Sequence, residues 1–357
     1  MTNLSRLRSK MSESGIGALL VSDIANVKWL TGFTGSSGMV LVTESAARFV
    51  TDSRYTLQAE EQVKDMPTHW FQSPVSLDEF LAKNIAEMGV AELWFEGASV
   101  TYATFDSWRD KFAGVQLRNS SDIIARLRMV KSPGEVEFIR QACGVADACF
   151  DHIKRLIQPG VREWDINLDL EFFIRRSGYE LGFEPIVVSG ERSARPHGKA
   201  SEKKLEVGDF VTMDFGAKVE GYCSDITRTV VVGEATDRHR EIYNQVLKAQ
   251  LAALEMMRPG VKAAEVDKKA REVFDELGLA KYFGHGLGHG LGSVVHDTGR
   301  MSPSSTDVLE AGQVWTVEPG VYIPGFGGVR IEDDVVVTDG GIEILTHSPK
   351  ELMVLPG

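Results

Sequence analysis

The feature that most constrains this chain is that its C-terminal part reads twice. Gln158-Pro159-Gly160-Val161 recurs 100 residues later as Arg258-Pro259-Gly260-Val261. Each copy precedes an amphipathic stretch, Trp164 to Arg176 and Ala264 to Leu277, closed by Ser177-Gly178 and Leu277-Gly278. Further on, Gly208-Asp209-Phe210-Val211-Thr212-Met213-Asp214-Phe215-Gly216 aligns with Gly312-Gln313-Val314-Trp315-Thr316-Val317-Glu318-Pro319-Gly320 at an offset of 104. Both copies place an acid at the same point, Asp214 and Glu318. A duplicated helix-helix-strand-strand unit packed about a pseudo-twofold axis would bring those acids toward one centre.

Ahead of the repeat, Ser132-Pro133-Gly134-Glu135 has the pattern of a capping box with proline at the first helical position, so a long helix starts there. From Leu4 to about Arg126, short apolar runs alternate with helical stretches. Ala18 to Val21, Met39 to Val42 and Ala46 to Val50 read as strands, Tyr55 to Val63 and Leu77 to Met88 as helices. The expected organisation is an α/β domain over residues 1–127, a linker near 127–132 and an α+β domain over 133–357 that carries the repeat. A chain of 357 residues has room for two domains at about 150 residues each.

Alternate side chains of a strand share a face, so Val211, Met213 and Phe215 take one side of their strand while Thr212 and Asp214 take the other. If Phe210–Phe215 and Ser224–Val230 form a hairpin turning on Val219-Glu220, Asp214 lies opposite Asp225. The second half repeats this, with Glu318 opposite Glu332 across a turn at Gly325. Carboxylates opposed at about 5 Å repel unless a cation lies between them. The segment Gly284 to Gly292 holds five glycines in nine residues together with His285 and His289, which disfavours a helix. Neither histidine has the glutamate of H-E-x-x-H, and the glycines do not satisfy G-x-G-x-x-G, so a zincin helix and a nucleotide loop are both set aside. The glycines are expected to open the strand to a ligand. His296 follows closely, and the first half offers His197. Carboxylates and imidazoles without thiolates suit a pair of divalent ions such as Mn²⁺, Co²⁺ or Zn²⁺, which activate water and polarise a carbonyl; the reaction class is hydrolysis.

The balance of 39 Lys+Arg against 51 Asp+Glu, a net charge of −12, argues against a nucleic-acid backbone binder. The apolar run Ile16 to Val21 is too short for a signal segment or a membrane span. Three cysteines with no C-x-x-C pair argue for a reducing, cytoplasmic setting.

Met213-Asp214-Phe215-Gly216, Ser224-Asp225-Ile226-Thr227-Arg228-Thr229, His285-Gly286-Leu287-Gly288-His289, Val317-Glu318-Pro319-Gly320 and Gly328-Val329-Arg330-Ile331-Glu332-Asp333 together resemble the pita-bread metallopeptidases, a clan that includes aminopeptidase P, prolidase and methionine aminopeptidase. Leu30-Thr31-Gly32-Phe33-Thr34-Gly35-Ser36 and Thr51-Asp52-Ser53-Arg54-Tyr55 resemble the extra N-terminal domain of the Xaa-Pro branch. The resemblance implies that Asp214 holds one ion, His289 and Glu318 the other, and that Asp225 and Glu332 bridge them. It implies an acid/base role for Glu318, stabilisation of the substrate carbonyl and tetrahedral intermediate by His197 and His296, and a place along the cleft for His285. Tyr322 and Arg330 are implied supports of the ligands, with Arg330 placed to orient Glu332 two residues away, or else to form a plain strand ion pair. The implied substrates are short proline-containing peptides, the implied ions Mn²⁺ first with Co²⁺ or Zn²⁺ as alternatives, and the implied assembly a homodimer without nucleic acid or membrane. Arg300 is expected either to pair with a dipeptide carboxylate or to be a solvated loop charge. Two alternatives share the fold: a creatinase-like hydrolase working without metal, and a non-catalytic binding protein. The complete ligand set counts against both.

Overall fold

The computed structural model describes residues 2–120 and 122–357, which form two compact units, Met1–Arg128 and Met129–Gly357. In the N-terminal unit the apolar runs become β1 (Ala18–Val21), β2 (Met39–Thr43) and β3 (Ala47–Asp52), followed by β4 (Thr68–Phe71), β5 (Glu92–Phe95) and β6 (Gln116–Asn119). They make one mixed sheet in the order β4-β3-β2-β1-β5-β6. All four residues of β1 are buried, because helices cover both faces of the sheet: Leu19 and Val21 pack into one core, Ala18 and Leu20 into the other. Helices Thr56–Gln62 and Leu77–Glu87 lie where the periodicity predicts them.

The C-terminal unit opens with α1 (Pro133–Ile153), and its capping box is made: Ser132 Oγ accepts the Glu135 N–H at 3.3 Å and the Glu135 carboxylate accepts the Ser132 N–H at 2.8 Å. Then come α2 (Glu163–Arg176), β7 (Ile186–Ser189), β8 (Phe210–Phe215) and β9 (Ile226–Val232). The second half runs α3 (Asp237–Met256), α4 (Ala263–Glu276), β10 (Gly288–Gly290), β11 (Asp297–Met301), β12 (Val314–Val317), β13 (Gly320–Ile323), β14 (Gly327–Arg330), β15 (Asp333–Thr338) and β16 (Gly341–Ile344), and β17 (Val354–Leu355) returns to the first sheet. The sheets are ordered β17-β9-β8-β7 and β11-β10-β12-β15-β16, with β13 and β14 as a separate ribbon. Corresponding bonds recur in the two halves: the Gly160 N–H donates to Leu205 O and the Gly260 N–H to Leu309 O, both at 2.8 Å.

Each sheet buries its apolar face against its own helix pair. Val211, Met213 and Phe215 pack with Phe150 and Ile153 of α1 and Ile166 and Leu170 of α2. Trp315, Val317, Val335 and Val337 pack with Val246 and Ala249 of α3 and Val266 and Phe274 of α4. The opposite, polar faces meet each other. Thr212 Oγ1 donates to Gly328 O at 3.2 Å, Thr229 Oγ1 to Arg330 O at 3.0 Å, and the Glu332 N–H to Thr227 O at 3.2 Å. The fully buried Arg228 reaches across with Nη2 at 2.8 Å from Asp333 Oδ1, and its Nη1 also donates to the Glu332 carbonyl. Burial works to raise the Asp333 pKa, but Arg228 and Lys350 outweigh it and hold the carboxyl below its ordinary value.

The second hairpin has the expected register, with Val317 opposite Asp333 and Gly320 opposite Arg330, which carries Glu318 toward Glu332. The first does not. Asp214 lies opposite Thr227, so Asp225 falls two positions further along, a diagonal neighbour on the same face. The cause is the turn: Val219 pairs with Tyr222, so it centres on Glu220-Gly221, whose φ values of 48° and 82° are those of a two-residue I′ turn. Val219 stays in the strand.

Candidate metal centre

Between the polar faces of the two sheets lies a cavity of about 450 Å³, lined among others by Asp214, Asp225, His289, Glu318 and Glu332, and by His197, His285, His296, Arg300 and Arg330. Asp214 is the penultimate residue of β8, Asp225 precedes β9, Glu318 follows β12 and Glu332 precedes β15. Four strand ends thus deliver four acids. His289 arrives on β10, its N–H donating to Thr316 Oγ1 at 3.0 Å. Gly286 and Gly288 line the cavity, and the glycines around His289 have a packing role as well: a Cβ at Gly288 would stand 2.0 Å from Thr316 O and one at Gly290 2.0 Å from Thr298 O. They let neighbouring strands close on β10.

Asp225, His289 and Glu332 offer ligand atoms that all lie within 4.8 Å of one another. His289 Nε2 stands 3.5 Å from both Asp225 Oδ2 and Glu318 Oε1, too far for good hydrogen bonds. Asp214 Oδ1 is buried and has no hydrogen-bond partner among the described residues. Burial pushes the Asp225 and Glu332 carboxyls well up, and the neighbouring carboxylates push them further; Glu318 is raised by burial against the opposing pull of His289. Clustered acids with raised pKa values, an orphaned carboxylate oxygen and an imidazole facing the gap make a donor set that fits hard or borderline divalent ions.

Arg330 does not orient Glu332. Its Nη2 donates to Asp214 Oδ2 at 2.5 Å, its Nη1 to the Tyr322 hydroxyl at 3.0 Å and its Nε to Thr227 Oγ1 at 2.9 Å. Glu332 is held instead by Thr227, whose hydroxyl donates to Oε2 at 2.5 Å. The reason is the first hairpin's register, which puts Thr227 opposite Asp214 and between the two groups. Tyr322 accepts from Arg330 and so turns its own hydrogen to His285 Nε2 at 2.9 Å, while His285 Nδ1 faces Gly286 O at 2.7 Å. A carbonyl only accepts, so Nδ1 carries the proton and the ring is neutral. Burial, helped by the charge on Arg330, pushes the His285 pKa down to about 4.

His296 stacks edge-on to His289 with ring centroids 4.5 Å apart, and burial, then His289, lower its pKa. Arg300 is not on a loop: it sits on β11 directly opposite His289, with Nη1 donating to Asp297 O and Gly299 O at 2.7 Å. Several supporting residues escape the sequence reading. Asp334 accepts the Asp225 N–H at 2.8 Å, and Thr316 Oγ1 lies 3.4 Å from Glu318 Oε1. On α4, Asp267 accepts the Leu287 N–H at 3.1 Å and Arg271 donates to His285 O at 2.6 Å. Thr227 and Thr316 had a signal, since each alternates with an acid two residues away. The i, i+4 pair Asp267–Arg271 reads like any surface ion pair.

Duplicated halves meeting across such a cluster define a metallohydrolase of the pita-bread fold. The chain belongs to metallopeptidase family M24, whose model matches residues 137–339, and the Creatinase/Prolidase N-terminal domain matches residues 3–130. An Xaa-Pro dipeptidase from Bacillus anthracis has a solved structure similar to this one at a TM-score of 0.96, with 42% identity and 99% of each chain covered. An X-Pro aminopeptidase from Thermotoga maritima superposes with a TM-score of 0.91 at 38% identity, covering 99% of this chain and 100% of that one. The Xaa-Pro dipeptidase of Pyrococcus furiosus is 37% identical over 98% of this chain and 99% of its own length.

Proposed function

We propose that this protein is a metal-dependent Xaa-Pro peptidase that hydrolyses the bond between an N-terminal residue and a following proline, with Xaa-Pro dipeptides as its substrates. The observation that carries the reading is the placement of His289 Nε2 at 3.5 Å from both Asp225 and Glu318 in a cluster of buried acids. Asp214 would hold one ion, His289 and Glu318 the other, and Asp225 and Glu332 both. When bound, the ions supply Lewis acidity, activating water and polarising the scissile carbonyl. Glu318, with its raised pKa, suits a group that takes a proton from the attacking water and gives it to the leaving proline nitrogen as the C–N bond breaks. That nitrogen has no N–H in the peptide and must gain one to leave as a secondary amine. His197 and His296 would donate to the substrate carbonyl oxygen, and neutral His285, held by Tyr322, would line the cleft. The catalytic unit is residues 133–357, with residues 1–127 as the N-terminal domain. Mn²⁺ is the proposed ion, with Co²⁺ or Zn²⁺ as alternatives. Free cysteines at Cys143, Cys149 and Cys223 support a reducing, cytoplasmic setting, and the homodimer rests on the family resemblance.

Arg300 lines the cavity and suits a dipeptide's free carboxylate. The test is hydrolysis of Ala-Pro and Ala-Pro-Ala under Mn²⁺, with and without chelator. Ala-Pro should be cleaved only with metal and faster than the tripeptide. Arg300→Ala should raise KM for Ala-Pro by about 10–100-fold, the worth of a charged hydrogen-bonding pair, while sparing Ala-Pro-Ala. No cleavage under any of the three ions defeats the function, and equal losses on both peptides defeat the role of Arg300.

Thr227 gives a further expectation. Thr227→Val leaves Glu332 Oε2 and Arg330 Nε each without this partner and should weaken Mn²⁺ binding by roughly 10–100-fold, while Thr227→Ser keeps the hydroxyl and most of the affinity. Calorimetric titration decides; equal weakening in both variants would assign the effect to packing of the methyl group.

A further inference from the structure

His197 reaches the cavity on the irregular connection between β7 and β8, and its imidazole makes no hydrogen bond among the described residues. Its position therefore depends on what holds the backbone of that connection. Arg330 Nη1 reaches its middle at Pro196 O, 3.3 Å away, the Trp164 N–H donates to Ser201 O at 3.2 Å, and one side chain joins both ends. Glu163, the first residue of α2, is fully buried, and both of its carboxylate oxygens accept hydrogen bonds from residues outside that helix. Oε1 accepts the Ser189 N–H at 2.7 Å and the Ser189 hydroxyl at 2.9 Å. Oε2 accepts the Ser201 N–H at 3.0 Å and the Ser201 hydroxyl at 2.7 Å. Arg192 Nε donates to both oxygens, at 3.2 and 3.1 Å, and its Nη2 donates to Lys199 O at 2.6 Å.

A glutamate in the first turn of a helix is explained by the helix dipole when it faces solvent. A buried one is different, because desolvating a carboxylate is costly unless every lone pair is answered. Here the answering donors all come from positions 189, 192 and 201, which bracket His197. We propose that Glu163 is a positioning residue that clamps the 189–201 connection shut at both ends and thereby fixes where His197 meets the substrate. Glutamine has the same shape but turns an NH₂ toward one pair of donors, so Glu163→Gln should release one end of the connection while leaving the other attached. The clamp itself stands on the bonds above; only the part played by His197 rests on the Xaa-Pro peptidase reading.

Two measurements on the full-length, Mn²⁺-loaded protein test it. The first is limited trypsin digestion, since Lys199, followed by Ala200, lies exposed inside the clamped segment, whereas Pro196 protects the bond after Arg195. Glu163→Gln should be nicked there roughly tenfold faster or more than wild type, because local opening sets the rate. Unchanged nicking overturns the clamp. The second is a double-mutant cycle on kcat/KM for Ala-Pro with Glu163→Gln and His197→Ala. A misplaced catalytic group can cost up to roughly 100-fold, so Glu163→Gln should approach the loss seen in His197→Ala and add almost nothing to it. Losses that multiply overturn positioning through His197 and leave Glu163 a structural residue. If His197→Ala is as active as wild type, the role given to His197 falls while the digestion still judges the clamp. Should Glu163→Gln not fold, Ser189→Ala and Ser201→Ala each remove one hydroxyl donor from the same carboxylate, and faster nicking in them supports the clamp where unchanged nicking overturns it.

Discussion

Asp225→Asn is expected to stabilise the metal-free protein while disabling the enzyme. Burial and the neighbouring Asp214, Asp334 and Glu318 carboxyls all oppose charge on Asp225, so without metal its ionisation at neutral pH works against the fold. A neutral amide of the same shape removes that opposition, and the Tm of the chelated variant should exceed that of chelated wild type at pH 7.5. The amide binds a divalent ion far less well than a carboxylate. Metal content should fall below that of wild type, and Ala-Pro hydrolysis should drop on the order of 10³-fold or more, since the Lewis-acid contribution is several kcal/mol. Metal analysis, calorimetry and the peptide assay on one preparation read all three. Wild-type metal content would sink the ligand assignment; a lower Tm in chelator would sink the argument from crowded acids.

The second large effect concerns pH. Asp225, Glu318 and Glu332 have folded-state pKa values above their ordinary ones. Between the unfolded value near about 4 and the raised folded value, the native chain holds more protons than the unfolded chain, so its stability falls as pH rises through that window. Divalent ions compete with those protons for the same oxygens and bind best when the protons are gone. The gap in Tm between metal-loaded and chelated protein should therefore widen from pH 5.5 to pH 8. At saturating metal it corresponds to about 3 kcal/mol for each ion held at 100 times its Kd. His285 works in the opposite direction: its pKa is pushed down to about 4, so its share of stability is present above its unfolded pKa of about 6.5 and is lost as pH falls. Its ring lies outside the proposed ligands, so it acts on both forms and largely cancels from the gap. A gap that is constant or narrows toward pH 8 would show that the acids are not raised by crowding.

The duplication and the strand faces were legible because they depend on local order alone. Repeated Pro-Gly punctuation marks equivalent helix starts, and strict alternation in Val211, Met213 and Phe215 fixes which side meets the helices. The family match follows from the same motifs. Register was less legible. The first hairpin could turn at Val219-Glu220 or one position later, and the choice lies with Gly221, which takes φ of 82° at no steric cost, and with Glu220, which is drawn into φ of 48° beside it. That single step moved Asp225 off the partner expected for it and put Thr227 opposite Asp214. It also decides which acid Arg330 holds, something that spacing along one strand cannot reveal. Long-range supports such as Glu163, Asp267 and Asp334 were not legible, because their partners lie on other elements and their local patterns resemble surface charges.

The polar seam between the two sheets also bears on how the C-terminal unit melts. Each half has its own helices and its own apolar core, which would ordinarily let duplicated halves unfold one after the other. Here the buried Arg228 belongs to the first sheet and its counter-ion Asp333 to the second, with Lys350, Gln250 of α3 and Thr346 completing the shell of that carboxylate. Losing the second half would strand the buried charge of Arg228 in the first, at a cost of about 3–5 kcal/mol. The pair therefore couples the two copies into one cooperative block.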